Sequence, residues 1–472
     1  MFVSFSCGRI AAVAMLAFGA SAVAQADDSA PQPAPPPAGP PTADSPFAAE
    51  APAASPSLPP PPIAPADSPL LDGWPARPGR EGVPPRRGLA ISGYVQPQFE
   101  RSQLSVDEVT PDGGPLNQDR FLVRRGRLRV ERGFQYGHTL LEVDANTVRG
   151  PFLSLRRAEA TVFYPHTDPT RPAWVALNVG VQEIPFGFEL RQGAQDRVFM
   201  ERSVGSLAFF RGEPDTGARL NTAAGPLRLA VAVQNGVPLD DRPGAITVPY
   251  QKKKTLVGRF GAETAPGGAV EAAGGVSFLQ GQGLRPGEPP SKAELLWRDL
   301  NQDGLVTLNE LTAAPGVAVT PSETFDRWAL NADAQFGFRT PLGWTRLQAE
   351  GTLASNLDRG LYIADPIAAG YDLREVSWVV ALIQDIGSHG ILAFRADRYD
   401  PNTDFFDTRR GLFLPEDLSI LTLSPAVGAR LDGVGRIIAQ YDYVVDQLGR
   451  DLNANPIDLP NDLVTVRLQM EF

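Results

Sequence analysis

The fold prediction rests first on residues Asn178 to Arg219, which read NVGVQEIPFGFELRQGAQDRVFMERSVGSLAFFRGEPDTGAR. This stretch continues an alternation that begins at Val175, in which Leu177 and Val179 face one side while Asn178 and Gln182 face the other. A period of two with one apolar and one polar face predicts a strand between two different solvents. About thirty residues without alternation then follow, and loops of this length inside a compact domain are usually functional.

The composition favours many short elements and excludes some partners. The chain of 472 residues contains 46 Pro and 46 Gly and carries a net charge of -11. So many turn-forming residues indicate short segments separated by turns rather than long helices. The acidic balance gives no basic footprint for nucleic acid, so we expect no nucleic-acid partner.

The first residues have the features of an export signal. Arg9 precedes an apolar run that begins at Ile10, and small residues around Ala24 form a cleavage pattern, so residues 1–26 are predicted to be a signal peptide. The single cysteine, Cys7, lies inside this segment, which leaves the mature chain without a thiol.

Residues 27–88 are rich in Pro and Ala and cannot bury enough apolar surface to fold, so they are predicted to form a disordered periplasmic spacer or a handle for a partner.

Alternating segments recur over residues 89–472 and number about sixteen. They lie near 89–100, 120–132, 137–147, 153–164, 173–183, 214–222, 227–236, 255–264, 269–279, 328–340, 343–354, 374–386, 389–399, 419–426, 435–446 and 461–472. Short connections interleave with long ones, such as 184–213 and 280–327. No segment after the signal peptide has the ~20 continuous apolar residues of a membrane helix, so a membrane could be crossed only by a closed barrel. We therefore predict an all-β fold, a transmembrane antiparallel β-barrel of about sixteen strands.

The final strand supports this prediction. Val464, Val466 and Met470 share one face with Phe472, on which the strand stops. An exposed aromatic residue at a strand end is typical of the interfacial girdle of an outer-membrane barrel. The predicted location is the outer membrane of a Gram-negative-type envelope, with its lipid as a partner.

Several motifs resemble the phosphate-selective porin O and P family. They span most of 89–472: GYVQP at 93–97, RRGRLRV at 124–130, LEVD at 141–144, PFG at 185–187, FMERS at 199–203, RADRYDPN at 395–402 and PNDLVTVRLQMEF at 460–472. The resemblance implies a sixteen-stranded homotrimeric channel whose third long loop, here 184–213, folds into the lumen as a constriction. It also implies lysines and arginines at that constriction, yet no Lys precedes Lys252. Phosphate selectivity and a mixed-charge slot for zwitterions or sugars both remain open.

Arginines are the candidate solute-path residues. Arg125, Arg127 and Arg129 share one face of the second strand and repeat about every 6.6 Å, because a strand rises ~3.3 Å per residue. Arginines facing lipid near the midplane would each cost ~2–4 kcal/mol, so the lumen is their expected side. They either conduct anions or pair with Glu142 and Asp144 on the next strand, and both interpretations remain open.

The long loop supplies the other predicted solute-path residues, which are Arg197, Arg202 and Arg211. In a narrow lumen with low-dielectric walls, their field would be strengthened. Carboxylates lie among them, which is the reason for considering a mixed-charge slot.

A calcium-loop pattern occurs at residues 299–310. Asp299, Asn301 and Asp303 would supply oxygen ligands, Leu305 a carbonyl and Glu310 a bidentate carboxylate, with Gly304 at the sharp turn. The flanking SKAELLW and LNELTAA are expected to form short helices, as in an EF-hand-like loop. A solvated acidic turn is the alternative, and one isolated loop indicates a structural clamp rather than a sensor.

The sequence favours an outer-membrane porin for passive diffusion of small hydrophilic solutes, including anions such as phosphate. The three histidines are widely separated, and no catalytic motif occurs, so no enzyme activity is predicted. The alternative is a calcium-stabilised barrel that acts as an envelope anchor or a surface receptor.

Overall fold

The computed structural model describes residues 88–472 except 111–112, 149, 165–171, 212–213, 237–251, 265–268, 301, 303, 408–413, 416, 432–433 and 452–454. The predicted signal peptide and nearly all of the Pro/Ala-rich segment lie outside the described residues. The chain divides into two units, and the described part of one of them lies within 108–116, where Val109 and Pro115 form an antiparallel bridge. The other unit contains the barrel.

Sixteen antiparallel strands form one closed barrel in the described part of the chain. They are β1 Gly88–Ser102, β2 Arg120–Gly133, β3 Gly137–Asn146, β4 Phe152–Tyr164, β5 Val175–Gln182, β6 Asp215–Ala224, β7 Leu227–Gln234, β8 Thr255–Glu263, β9 Val270–Arg285, β10 Glu323–Thr340, β11 Gly343–Ser355, β12 Arg374–Ile386, β13 Gly390–Asp400, β14 Ile420–Leu431, β15 Gly435–Val445 and β16 Leu463–Glu471. Each pairs with the next strand along the chain, and β1 pairs with β16. Every alternating segment of the sequence is a strand, which confirms the predicted fold class.

The barrel closes where β1 meets β16. Tyr94 lies opposite Glu471, and Val95 lies opposite Met470. Beyond them, Gly93 and Phe472 exchange two backbone hydrogen bonds of 3.0 Å. A side chain at Gly93 would collide with the Arg127 carbonyl and the Phe472 ring, so glycine permits this close approach. Closure leaves no unpaired strand edge in the barrel.

Burial in the barrel is the reverse of that in a water-soluble sheet. In β10, Trp328, Leu330 and Phe336 point outward and are exposed, whereas Asn331 and Gln335 point inward and are buried. Trp328 and Phe336 are ~26 Å apart along the strand at ~3.3 Å per residue, close to the ~25 Å height of the apolar band of such barrels. An apolar outer face and a polar interior are the pattern of a transmembrane β-barrel.

The connections at the two ends of the barrel differ in length. One end has tight turns, among them 225–226, 341–342 and 387–389. The other end carries the long loops, and those at 286–322, 401–419 and 446–462 contain short two-stranded hairpins. Among the described residues, no helix is long and apolar enough to cross a membrane.

The largest apolar cluster lies inside the barrel and is built by the loop between β5 and β6. We call described residues 184–211 of this loop the inner loop, and it contains the short helix α1, Val204–Phe209. Its Phe186, Phe209 and Phe210 pack together and against Tyr399 of β13. The wall beneath them presents mostly small inward side chains, namely Ala232, Val257, Leu279, Ala329 and Ala354.

A second apolar cluster holds the middle of the inner loop. Val198, Phe199 and Met200 pack against inward side chains of β12 to β15. These wall residues are Ala381, Ile383, Ile391, Ala393, Ala426 and Ile438. The two clusters explain why this loop lies inside the barrel, because the apolar residues of the inner wall cover its aromatic side chains and remove them from water.

The exposed outer face predicts sensitivity to charge at mid-strand. Ala332 lies midway between Trp328 and Phe336 on the outward face of β10. Ala332→Arg should lower the free energy of unfolding in lipid by ~2–4 kcal/mol, because a guanidinium near the midplane must leave water. Denaturant titration followed by tryptophan fluorescence measures this change. Val319→Arg, at an exposed position in a long loop, is the control and should stay within about 0.5 kcal/mol of wild type.

The aromatic cluster predicts a second effect. Phe209→Ala should cost roughly 3–5 kcal/mol of stability, because it opens a cavity beside Phe210 and Tyr399. Hydrogen exchange at the amides of the inner loop should speed up more than exchange in β10. Phe121→Ala, at a largely exposed position, is the control. Unchanged exchange in the inner loop would contradict the proposed anchoring.

Candidate functional site

The inner loop crosses the barrel and contacts inward side chains from widely separated strands. Gln96 of β1 donates to the Ala194 carbonyl at 3.3 Å, and Gln469 of β16 donates to the Gln195 carbonyl at 2.9 Å. On another part of the wall, Asp397 of β13 accepts the Val204 N–H at 2.9 Å. The structure therefore places the predicted constriction loop inside the lumen.

The base of the inner loop is fixed by a half-buried carboxylate of β11. Glu350 Oε2 accepts the backbone N–H groups of Phe188 and Glu189, each at 3.0 Å, and Oε1 accepts an N–H of Asn331 at 2.8 Å. Gly187 adopts φ of 56° and leaves no room for a Cβ beside this carboxylate. The tight turn lets two adjacent amides reach one side chain.

The tip of the inner loop carries the densest group of charges. Glu201 accepts from Arg124 at 2.9 Å, from Arg125 at 3.0 and 2.5 Å, and from Arg467 of β16 at 2.9 Å. Arg395 of β13 donates to the Glu201 carbonyl at 2.7 Å. We call Arg124, Arg125 and Arg467 with Glu201 the tip cluster.

A β-bulge brings both Arg124 and Arg125 to this cluster. Gln96 pairs with Arg125 but Pro97 pairs with Val123, so Arg124 is an extra residue in β2. Strict alternation would have sent neighbouring residues to opposite faces. Proline inside a strand often marks a bulge because it has no N–H to donate, so Pro97 was the available sequence signal.

The two other arginines of the predicted ladder have separate partners. Arg127 contacts Asp144 at 2.8 Å and Glu142 at 3.5 Å, and its guanidinium lies 5.8 Å from the centre of the Tyr94 ring. Arg129 pairs with Glu131 of its own strand at 3.0 Å. The structure shows the expected cross-strand pairing for Arg127, while the conducting role of the ladder stays a prediction.

The three predicted arginines of the loop contact backbone carbonyls. Arg197 donates to Gln192 at 3.2 and 3.1 Å, Arg202 to Phe210 at 3.0 Å, and Arg211 to Gly360 at 3.2 Å. The contacts of Arg197 and of the buried Arg202 lie within the inner loop and hold its shape, whereas Arg211 joins the inner loop to Gly360. Their part in a solute path remains a prediction.

A second group of charges lies at the start of the inner loop. Arg157 of β4 contacts Glu159 at 2.6 Å and Glu183 at 3.6 Å, and Arg219 of β6 donates to the Glu183 carbonyl at 3.0 Å. Together with the tip cluster, this group places arginines both at the start of the loop and at its tip.

Exposure indicates where water reaches these charges. The side chains of Arg129 and Glu201 are 33% and 28% exposed. By contrast, Arg346 and Asp385, on β11 and β12, form a pair that is almost completely buried. Water therefore contacts charge along β2 and at the inner loop, which makes this region the candidate solute path.

A further inward contact, which alternation did not reveal, comes from the loop between β11 and β12. The Asp358 side chain accepts N–H groups of Gly360 and Leu361, each at 2.9 Å, and the Tyr399 hydroxyl at 2.6 Å. Arg359 and Gly360 donate to the Ala208 carbonyl of α1 at 3.0 and 2.9 Å. This loop therefore fastens α1 from the long-loop end of the barrel.

The calcium-loop motif lies at the end of a hairpin, so the expected flanking helices were wrong. Glu294–Trp297 and Leu311–Ala314 are paired strands, with only a single 3₁₀ turn at Leu308–Glu310. All four residues of Glu294–Trp297 are exposed, so no buried face favours a helix over pairing with the other strand. Asn301 and Asp303 lie outside the described residues, and Leu305 lies on the exposed connection.

Two predicted calcium ligands are described. Asp299 Oδ2 accepts the Gly304 N–H at 2.8 Å, and Gly304 has φ of 73°. Glu310 accepts N–H groups of Leu300 at 3.3 Å and Thr307 at 3.2 Å. The hydrogen bonds, first of all from Thr307, hold the pKa of the Glu310 carboxyl below its usual value. Within the described residues, no group of three or more His, Cys, Asp or Glu is arranged to hold a metal.

Comparison with known proteins shows the fold. No family model matches the sequence, and no curated protein matches it. Among solved structures, OprB of Pseudomonas putida at high pH is 10% identical over 82% of this chain and 94% of its own, with a TM-score of 0.51. DcaP, an outer membrane channel of Acinetobacter baumannii, is 13% identical over 81% of this chain and 97% of its own, with a TM-score of 0.47. The likeness to OprB concerns the fold alone, and this chain thus shares the closed β-barrel fold of that protein.

Proposed function

We propose that the chain is an outer-membrane porin through which small hydrophilic solutes, anions among them, diffuse passively. The observation that carries the proposal is the tip cluster, where three guanidiniums share one partly exposed carboxylate inside the barrel. A closed barrel with a polar, partly hydrated interior gives a solute a path that the apolar outer face does not.

The local charge supports a preference for anions. Three arginines against Glu201 leave two positive charges in excess (3 − 1 = 2) within a chain whose net charge is -11. Low-dielectric walls concentrate the field of such a group and raise the local concentration of counter-ions. Phosphate is one candidate anion, and the proposal includes the homotrimer that the family resemblance implies.

Planar bilayers test this function. Purified protein should give stable single-channel currents, and reversal potentials in a potassium chloride gradient should show anion preference. Arg129→Gln should reduce the ratio of anion to cation permeability about twofold or more, because it removes a hydrated cation from the lumen. Arg398→Gln, in an exposed pair with Asp417, is the control and should leave the ratio unchanged.

The outcomes separate the two functional classes. Conductance without anion preference would reduce the proposal to a general diffusion pore. No conductance from folded protein would contradict the porin and favour the envelope anchor or surface receptor. Titration of the chloride current with phosphate tests whether phosphate is a permeant anion. If it is, phosphate should block the chloride current.

We also propose that the 299–310 loop binds calcium as a structural clamp. Gly304 makes the required sharp turn, Glu310 is turned into the loop, and the low pKa of its carboxyl keeps it anionic. Asp299, Asn301, Asp303, the Leu305 carbonyl and Glu310 would hold the ion. A two-stranded hairpin is only marginally stable alone, so a bound ion would supply stability that packing does not.

Calorimetric titration of the folded protein with calcium checks this proposal. Wild type should release or absorb binding heat that Asp299→Ala abolishes, because that change removes the first oxygen ligand. Glu294→Gln, on the same hairpin but outside the motif, should titrate like wild type. Absence of calcium-dependent heat from wild type would leave the alternative, a solvated acidic turn.

A further inference from the structure

The Glu201 carboxylate is held in the way that a binding site holds a ligand. Arg125 donates to both of its oxygens, at 3.0 and 2.5 Å, and Arg124 also reaches both, at 2.9 and 3.4 Å. Arg467 adds a contact at 2.9 Å. Two guanidinium forks on one planar group form the arrangement in which arginine recognises carboxylates.

The inner loop does not depend on this carboxylate for its position. Arg395 holds the Glu201 carbonyl at 2.7 Å, and Arg467 Nη1 donates to the Met200 carbonyl at 2.6 Å. Gln440 accepts the Met200 N–H at 2.9 Å, and Phe199 packs in the second apolar cluster. The side chain of Glu201 could therefore leave its arginines while the backbone stays in place.

Water has access to this site. The side chains of Glu201 and Arg124 are 28% and 25% exposed, although Arg467 is nearly buried. A dissolved anion can thus approach the arginines from the Arg124 side. Because one carboxylate neutralises only one of the three arginines, a dissolved anion can bind beside Glu201 or in its place.

Building on the proposed function, we propose that the tip cluster is a binding site for the carboxylate group of small organic acids, and that Glu201 is its tethered competitor. A transiting carboxylate exchanges with Glu201 at the three arginines. Tethered groups compete at millimolar effective concentrations, so Glu201 keeps solute affinity low. Weak binding suits a channel, because a solute that binds tightly cannot leave.

Removing the competitor should expose the site. Glu201→Gln keeps the size of the side chain but no longer neutralises the arginines. We expect acetate to bind about tenfold or more tightly than in wild type, since its tethered rival is gone. Adding Arg124→Gln to Glu201→Gln should cancel this gain, because it removes the more exposed fork.

The control variant is Glu263→Gln, the same substitution at a lumen carboxylate that pairs with Arg228 at 2.6 Å. It changes the net charge equally but leaves the tip cluster intact. Acetate affinity of this variant should equal that of wild type. Equal gains in both Glu→Gln variants would show a general charge effect and overturn the proposal.

The test reads acetate binding in two independent ways. Thermal unfolding in detergent, with sodium acetate replacing sodium chloride at constant ionic strength, reports binding by the rise in Tm. Block of the single-channel chloride current by acetate reports binding within the lumen. Tm shifts confined to Glu201→Gln, together with block at lower acetate, are expected.

The proposal would be overturned by identical acetate responses of wild type and Glu201→Gln, or by a response to inorganic phosphate with none to acetate. Wild-type protein that does not conduct would refute the porin function alone, because the Tm measurement still decides whether the site binds carboxylates. Conduction without an acetate response would refute the site and leave the porin.

Discussion

The closed ladder of backbone hydrogen bonds is the constraint on which the rest of the structure depends. In hydrocarbon an unpaired N–H or C=O has no water to replace its partner, so the sheet must close on itself. Here closure needs the close approach of Gly93 to Arg127 and Phe472, which any larger residue would block. Once the sheet is closed, one face of every strand meets lipid, and the polar residues that alternate with it must face inward.

Because the polar faces of the strands point inward, the apolar core of this barrel must be supplied inside the lumen. The inner loop supplies it and is held there by two kinds of contact. Small inward residues such as Ala232 and Ala354 leave room for Phe209 and Phe210, so apolar burial occurs between loop and wall rather than between two sheets. Glu350 then fixes the direction of the loop by binding two successive amides. The apolar contacts supply stability, and the carboxylate supplies register.

The barrel could be predicted from the sequence because the alternation of a strand is a local pattern, and the number and order of the strands follow from that pattern. The inward position of the 184–213 loop was implied only by the family resemblance, because the length and the aromatic residues of a loop do not say to which side of the barrel wall it turns. Contacts between distant segments could not be predicted, because no local pattern indicates which side chains will meet. Strict alternation does not place Arg124 beside Arg125, because this arrangement depends on one bulge opposite Pro97, and the partnership of Glu201 with Arg467 joins residues far apart in the chain. The hairpin around 299–310 was taken for helices because short segments obey either period.

The arginines of β2 differ in what they can offer a solute, although they look equivalent in the sequence. Arg127 lies between two carboxylates, Asp144 and Glu142, so its field is cancelled within a few ångströms. At the tip cluster the ratio is reversed, with three guanidiniums around Glu201. Like charges this close repel unless an anion lies between them, so this cluster requires an anion, whether or not the anion is the protein's own. The local ratio of cations to anions, rather than the number of arginines along the strand, therefore sets where an anion can bind in this lumen.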